Sequence, residues 1–376
     1  MLTNVYHGKK VLVFGHTGFK GSWLTSWLLR LGANVAGFSN GIPTSPSLFE
    51  VLDLASNIRD YRGDVRDYEK VQEVVNEFSP DIIFHLAAKA IVRECLDNPV
   101  SAFHTNLLGT VHVLDAIRSC NSVQSAVIIT SDKCYENVEW EYGYREDDRL
   151  GGKDPYSASK ASAELAFSSY YRSYLIHQKP RLHIYTARAG NVIGGGDWAR
   201  DRIIPDCMRA WYQGSSAEIR SPEATRPWQH VLEPLSGYLT LGAWKYLTKK
   251  IDLSGHSFNF GPSSEVNQSV RELILEMQQS WKFSDPTQVS FYTPEAFQRE
   301  SMKTSKEATL LKLCCDKSFS KLQWKPTLNF RETVAMTVNW YKEFKNTPSK
   351  IACFTQNQIE EYQKLAKERD IFWNLE

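Results

Sequence analysis

Lys10-Val-Leu-Val-Phe-Gly15-His-Thr-Gly18-Phe-Lys-Gly21-Ser-Trp-Leu24 is the stretch whose reading decides the fold. An apolar run of strand character turns through three glycines and enters residues 22–30, where Trp23, Leu24, Trp27 and Leu28 recur at helical spacing. A buried strand, a tight glycine turn and a helix N-terminus together make a phosphate site. The glycines let the backbone come close, and the first N–H groups of the helix face the anion with the dipole behind them. The stretch therefore reads as the pyrophosphate seat of a dinucleotide. Its spacing is GxxGxxG, one residue longer in the turn than the usual GxGxxG. A glycine-rich turn is often only a turn, so its weight depends on what surrounds it.

Downstream, strand and helix patterns alternate. Residues 34–38 and 58–63 read as strands, 68–78 as a helix, 81–86 as a buried strand, 99–120 as a long helix and 125–130 as another strand. In the long helix Phe103, Leu107, Leu114 and Ile117 are expected on one side. Such alternation means βαβ units and a parallel sheet, whose ligands sit beyond the carboxyl ends of the strands. From about Asp197 the alternation breaks down into a short strand at 218–220, helices at 230–247 and 270–281, a strand at 258–260 and a helix ending near Trp340. That pattern predicts a smaller lobe over the open mouth of the sheet. A charged amphipathic stretch, 358–372, predicts a terminal helix.

The chain has 376 residues and a formal charge of +1, so no global field favours nucleic acid or a membrane surface. An anionic ligand must be met by local Arg, Lys and backbone N–H groups. No apolar run is long enough to span a bilayer, and the N-terminal residues do not read as a signal peptide. The seven cysteines are odd in number and scattered, and Cys314 and Cys315 are adjacent. No Cys/His ligand spacing occurs, so reduced thiols in a cytoplasmic protein without a metal site are expected. His183 and His256 have no partner at ligand spacing and are expected to pack.

Tyr156 and Lys160 lie four apart in Asp154-Pro-Tyr-Ser-Ala-Ser-Lys160. Pro155 suits the first turn of a helix, which puts Tyr and Lys on one face. A nearby ammonium lowers a phenol's pKa, and a phenolate can take the proton of a sugar hydroxyl. By itself this would be an ordinary solvated pair; with the glycine turn it becomes a candidate dehydrogenase site.

Gly15-xx-Gly18-xx-Gly21 with Tyr156-xxx-Lys160, in a chain of this length, resembles the extended short-chain dehydrogenase/reductase family from Val11 to about Lys345. Within it, Gly15 to Leu24, Thr130-Ser-Asp-Lys-Cys-Tyr-Glu-Asn137, Asn191-Val-Ile-Gly-Gly-Gly-Asp-Trp198 and Arg226-Pro-Trp-Gln-His230 resemble the dehydratases of CDP-glucose. The resemblance implies a Rossmann-type doubly wound parallel sheet in residues 1–190, a smaller α+β substrate lobe mainly in 191–346 with segments returning to the sheet, and a C-terminal extension in 347–376. It implies bound NAD, a CDP-glucose substrate, a place in deoxysugar and surface-polysaccharide (lipopolysaccharide O-antigen) biosynthesis, and a homodimer or homotetramer. The family pairs its subunits through the helices at 99–120 and 156–178.

Dehydration across carbons 5 and 6 of a hexose first needs a ketone at carbon 4, because the carbon-5 proton is otherwise not acidic. The reaction then needs a base for the 4-hydroxyl, a base for the carbon-5 proton and an acid for the departing 6-hydroxyl. Tyr156 suits the first task, and the others are expected at Ser131-Asp132-Lys133. The resemblance makes Asp132 the acid. Lys133 stands where related dehydratases carry a glutamate base, and it can act as base only if desolvation and Lys160 lower its pKa. It also implies that Gly15, Thr17, Gly18, Phe19, Lys20 and Gly21 surround the cofactor pyrophosphate, and that Asp64 and Val65 meet adenine. Leu86, Ala87 and Ala88 line the nicotinamide side, Thr130 adds a cofactor contact, and Lys160 bridges the ribose hydroxyls. No acidic residue follows the second strand; Ser39 is left to meet the adenosine ribose, and no Arg or Lys stands there for a 2′-phosphate. Ser131, Asn191, Arg202 and Arg226 are the implied substrate contacts, an arginine fork suiting a diphosphate. The competing readings are a nucleotide-sugar 4-epimerase, a dehydratase for another nucleotide hexose, and an NAD-sensing protein without catalysis, which has no use for Tyr156, Lys160 and Asp132 together.

Overall fold

Alternation of apolar residues inside single strands settles how the molecule is layered. In β1 (Lys10–Phe14) Val11 and Val13 enter one core while Leu12 and Phe14 enter another, and all four are fully buried. β5 (Ser125–Ile129) divides the same way, with Val127 and Ile129 on one side and Ala126 and Ile128 on the other. A strand buried on both faces belongs to the middle of a sheet covered by helices on each side. The computed structural model describes residues 2–248, 252–263, 265–283, 290–294 and 311–371.

The sheet is seven-stranded and parallel. Besides β1 and β5 it contains β2 (Asn34–Ser39), β3 (Arg59–Arg62), β4 (Ile82–His85), β6 (His183–Arg188) and β7 (Ser257–Asn259), in the order β7-β6-β5-β4-β1-β2-β3. The order reverses between β1 and β4, which opens a crevice at their carboxyl ends. The helices that matter to the site are α1 (Phe19–Arg30), α2 (Tyr68–Phe78), α3 (99–119), α4 (Pro155–Tyr170), α5 (Ile203–Tyr212), α6 (Leu232–Leu247), α7 (Val270–Trp281), α8 (Phe330–Asn346) and α9 (Ile351–Glu368). Three two-residue ribbons build the smaller lobe: Val192–Ile193 with Gln229–His230, Thr225–Arg226 with Gln268–Ser269, and Ala217–Glu218 with Phe291–Tyr292. No helix among the described residues is long and apolar enough to cross a membrane.

Three expectations change. The long helix α3 is interrupted by a π-helical turn, His104–Leu108, between Pro99–Phe103 and Gly109–Ser119. One extra residue in the turn rotates the buried face. Ala102 and Asn106 point inward, while Phe103 and Leu107 are only half-buried. The strand expected in the smaller lobe, β7, instead extends the main sheet beside β6, and α6 packs on the sheet with it. Pattern alone cannot assign a three-residue strand to a partner so far away in sequence. The terminal helix begins at Ile351, seven residues before the expected start, and its expected end at Phe372 lies outside the described residues.

The terminal helix also explains why α1 is apolar almost all round. α1 is sandwiched between the sheet and α9, with Trp27 edge-on to Tyr362 at 5.7 Å and Gln356 donating to Ser26 Oγ at 2.7 Å.

Candidate active site

The three glycines of the opening turn have different reasons to be glycine. Gly15 has φ +84°, and a Cβ there would lie 2.7 Å from the backbone N of Ala87. A Cβ on Gly21 would lie 2.1 Å from the carbonyl O of Gly15. Both are demanded by the protein's own packing. At Gly18 the nearest atom would be 3.4 Å away, so that space is open. Gly18 is the N-cap of α1 and offers no side chain to the first amides, which are left for a ligand. Lys20, in the first turn, has no hydrogen-bond partner among the described residues. Burial, with the charges of Arg202 and Lys160 against that of Asp132, lowers its ammonium to about 8. Open room, free amides and an unpaired cation fit the pyrophosphate of a dinucleotide.

At the far end of the turn lies a side chain the sequence reading passed over. His16 is fully buried, with Nε2 2.9 Å from Asp60 Oδ1 and Nδ1 3.0 Å from Ser39 Oγ. Burial lowers its pKa, opposed by Asp60. The hydroxyl of Ser39, expected to meet a ribose, thus also bonds His16. A cation also stands nearby after all. Arg62 is the register partner of Ser39 on β3, pinned to Asp60 at 2.6 Å. It was missed because it comes from the neighbouring strand. Asp64 is gripped by Arg66 Nε and Nη2 at 2.9 and 2.7 Å and by Asn40 at 3.2 Å. Those hydrogen bonds, Arg66's first, hold its carboxyl down to about 2 against partial burial. Val65 is buried beneath Gly109, and Thr17 Oγ1 donates to the Gly41 carbonyl at 2.7 Å.

Tyr156 and Lys160 stand one turn apart on α4, whose start is fixed by Pro155 and by Asp154 accepting from Ser157 N at 3.0 Å. Both are buried, and Lys160 Nζ donates to the Ile129 carbonyl at 3.2 Å. Beyond β5, Ser131 Oγ donates to Asp132 Oδ1 at 3.0 Å and lies close enough to Tyr156 to act on its phenol. Asn191, in the left-handed region at φ +52°, donates to Asp132 Oδ2 at 3.4 Å. A Cβ on Gly190 would lie 1.9 Å from the same oxygen. Ser131, Asp132, Tyr156, Lys160 and Asn191 thus converge as expected.

Other expectations at this place are corrected. Burial pushes the Tyr156 phenol up to about 12; the Ser131 hydroxyl and Arg202 oppose that rise, and Asp132 adds to it. Lys160 itself is lowered to about 8 by burial, partly offset by Glu164. Lys133 is exposed on the short turn Asp132–Cys134. Thr130, expected as a cofactor contact, is buried and its hydroxyl donates to Glu164 at 2.5 Å. Asn106, exposed to view only by the π-turn of α3, was not anticipated. It holds Lys89 N at 2.8 Å and Ser159 Oγ at 2.9 Å, tying the Leu86–Ala88 loop to α4.

A cleft of about 470 Å³ runs from Asp132, Gly190 and Asn191 past Gln229 to Lys312 and Lys325. Of the two arginines expected here, Arg202 is held by Asp197 at 2.8 Å and lies within electrostatic reach of Tyr156. Arg226 donates to the Thr225 carbonyl at 2.7 Å on its ribbon. The two lysines of the cleft went unread because they carry no motif. No cluster of metal-ligating side chains occurs among the described residues.

The profile of the family described as GDP-mannose 4,6 dehydratase matches residues 12–337. A CDP-glucose 4,6-dehydratase of Salmonella typhimurium is 40% identical over 362 residues, covering 96% of this chain and 97% of that one. The crystal structure of a UDP-glucose 4-epimerase with UDP-glucose from Thermotoga maritima superposes with a TM-score of 0.73 at 21% identity, over 89% of this chain and 99% of that one. That of a dTDP-glucose 4,6-dehydratase from Streptomyces venezuelae, with NAD and TYD bound, gives 0.71 at 22% identity, over 89% and 97%.

Proposed function

The chain belongs to the GDP-mannose 4,6-dehydratase family, and from that premise we infer that it catalyses the NAD-dependent dehydration of CDP-glucose to CDP-4-keto-6-deoxyglucose. It is a hydro-lyase of deoxysugar biosynthesis: carbon 4 is oxidised, water leaves across carbons 5 and 6, and carbon 6 is reduced. The observation that carries this reading over a 4-epimerase is Asp132. Its carboxyl is buried in the cleft against a bare Gly190, accepts from Ser131 and lies within electrostatic reach of Tyr156. A 4-epimerase leaves the 6-hydroxyl of its hexose in place and has no use for an acid there.

Gly15, Thr17, Gly18, Phe19, Lys20 and Gly21 would hold the cofactor's pyrophosphate, Asp64 and Val65 its adenine, and Leu86, Ala87 and Ala88 its nicotinamide side. Held there, the dinucleotide would supply a hydride acceptor for carbon 4 and a hydride donor for carbon 6, with no net redox change over a turnover. Tyr156 takes the 4-hydroxyl proton. Its phenol is reluctant at about 12, and the Ser131 hydroxyl together with the positive charge of Arg202 favours the phenolate. Lys160, anchored to the Ile129 carbonyl, would meet the cofactor ribose through its ammonium. Asp132 protonates the departing 6-hydroxyl and Lys133 takes the carbon-5 proton. Closure of the bound substrate over the exposed Lys133 is what would desolvate it. Ser131 and Asn191 orient the hexose, and Arg202 and Arg226 meet the substrate diphosphate.

Incubation with CDP-, TDP-, UDP- and GDP-glucose, followed by product mass, tests the reading. Loss of one water from CDP-glucose alone is expected; conversion to the galactose isomer at unchanged mass overturns it. We further infer a homodimer or homotetramer formed through α3 and α4, whose Leu108 and Leu165 are 42% and 61% exposed. A cytoplasmic location is supported by seven cysteines that are all free.

A further inference from the structure

The reaction uses the cleft-facing ends of β5 and α4 and leaves out the buried polar cluster behind them. Glu164 lies one turn beyond Lys160 on α4 and is 3% exposed. Its Oε1 accepts from Thr130 Oγ1 at 2.5 Å and Arg188 Nε at 2.9 Å; its Oε2 accepts from Thr186 Oγ1 at 2.8 Å and Arg188 Nη2 at 2.9 Å. Arg188, on β6, spends its remaining Nη1 on Tyr135 OH at 2.8 Å and the Glu146 carbonyl at 2.9 Å. Tyr135 in turn donates to Asn259 Oδ1 on β7 at 2.7 Å.

Thr130 immediately precedes Ser131, and Tyr135 immediately follows the Asp132–Cys134 turn. One ion pair therefore grips both ends of the short segment that carries the acid and the base. A buried ion pair is poor value as stabilisation, since desolvation of both charges cancels most of the attraction. Its location supplies a better reason for it. We propose that Glu164 and Arg188 are positioning residues of the dehydration, fixing the Ser131–Cys134 segment and the environment of Lys160 through a single buried fork.

The electrostatics agree with that geometry. Burial raises the Glu164 carboxyl, but Arg188 and the hydroxyls of Thr130 and Thr186 more than offset it, so it stays ionised. The groups facing Lys160 are Glu164 on its own helix, Cys134 from the turn, Cys95 from Val92–Asp97, His85 from β4 and Lys20 from α1. Burial holds both thiols and the imidazole neutral, which leaves Glu164 as the charge that keeps Lys160 protonated.

The test is the paired substitution E164L/R188M, which removes both charges at similar volume and so avoids an orphaned buried ion. The folded double variant is expected to lose at least about tenfold in kcat for water loss from CDP-glucose, with KM within about twofold. The alkaline limb of its kcat profile should move down by about half a pH unit or more as Lys160 loses its counter-charge. A folded double variant with wild-type kcat and pH profile overturns the proposal. If the pair fails to fold, T130V removes one hydroxyl of the clamp, and the same displaced limb with a kcat reduction of about threefold or more is expected; wild-type values again overturn it. The proposal rests on the dehydratase reading, so appearance of reduced nicotinamide on mixing with each nucleotide sugar is followed alongside. Tyr156 and Lys160 govern that step whichever sugar is used. An unaltered enzyme that reduces its cofactor but releases no water counts against the dehydratase reading, while a variant whose reduction rates show the same pH dependence as wild type, with water loss also unchanged, counts against this one.

Discussion

The indole N–H of Trp23, on the helix that follows the glycine turn, donates to the carbonyl of Gly195 at 2.9 Å, in the loop that carries Asn191 and Asp197. One buried hydrogen bond thus joins the cofactor side of the cleft to the substrate side. W23F keeps an aromatic ring but loses part of the buried indole and leaves the Gly195 carbonyl unpaired, the latter alone a cost of about 1–3 kcal/mol. Thermal unfolding should show the loss, and KM for the nucleotide sugar should rise with it. An unchanged KM would mean that the loop is positioned without Trp23.

The glycines of the turn should separate under mutation. G21A forces a Cβ to 2.1 Å from Gly15 O and is expected to unfold α1 from its seat. G18A meets nothing closer than 3.4 Å and should fold normally. It should nevertheless bind NAD about tenfold or more weakly, because the methyl enters the space left for phosphate. Calorimetric titration with NAD and circular dichroism distinguish the two behaviours.

Asp132 is predicted to act after carbon 4 is oxidised. D132N should retain NAD and still form reduced cofactor with CDP-glucose, while water loss slows about a hundredfold or more. G190A, whose Cβ would fall 1.9 Å from Asp132 Oδ2, should show the same separation more mildly by displacing the carboxyl. Stopped-flow absorbance of the nicotinamide, with product mass in parallel, reads both steps. An unaltered dehydration rate in D132N would remove Asp132 from the role of acid.

Glu233 predicts a pH dependence of stability remote from the cleft. It is 1% exposed on α6 and accepts from Thr327 N, Leu328 N and Tyr362 OH. Burial, opposed by those donors, raises its carboxyl from 4.5 to about 7. The folded state therefore binds this proton more tightly than the unfolded chain. Its contribution is full below about pH 4.5 and is lost as pH rises through about 7, a difference of about 3 kcal/mol. Between pH 5 and 8 the wild-type Tm should fall more steeply than that of E233Q. Parallel curves would assign the pH dependence to other groups.

Much of the fold was legible because its signals are local. The helix 68–78 was bounded correctly from the sequence pattern, and the structure adds that Asp67 caps it by accepting from Lys70 N. Pro155 marked the start of α4, where it occupies the first turn. The π-turn in α3 was not legible, since no residue in His104–Leu108 forbids an ordinary helix. Within it Asn106 reaches across to Lys89 and Ser159, contacts far away in sequence that no local pattern announces.

The sequence by itself determined the parallel sheet, the glycine turn, the Tyr156–Lys160 face and the Ser131–Asp132–Lys133 segment, because each is written in neighbours or in a short period. Only the tertiary structure decided how those groups are charged and held. It bonded Ser39 to His16, turned Thr130 toward Glu164, raised the phenol of Tyr156 and left Lys133 in solvent. Hydrogen-bond commitment and burial depend on which distant strands and helices pack together, and no spacing along a chain encodes them locally.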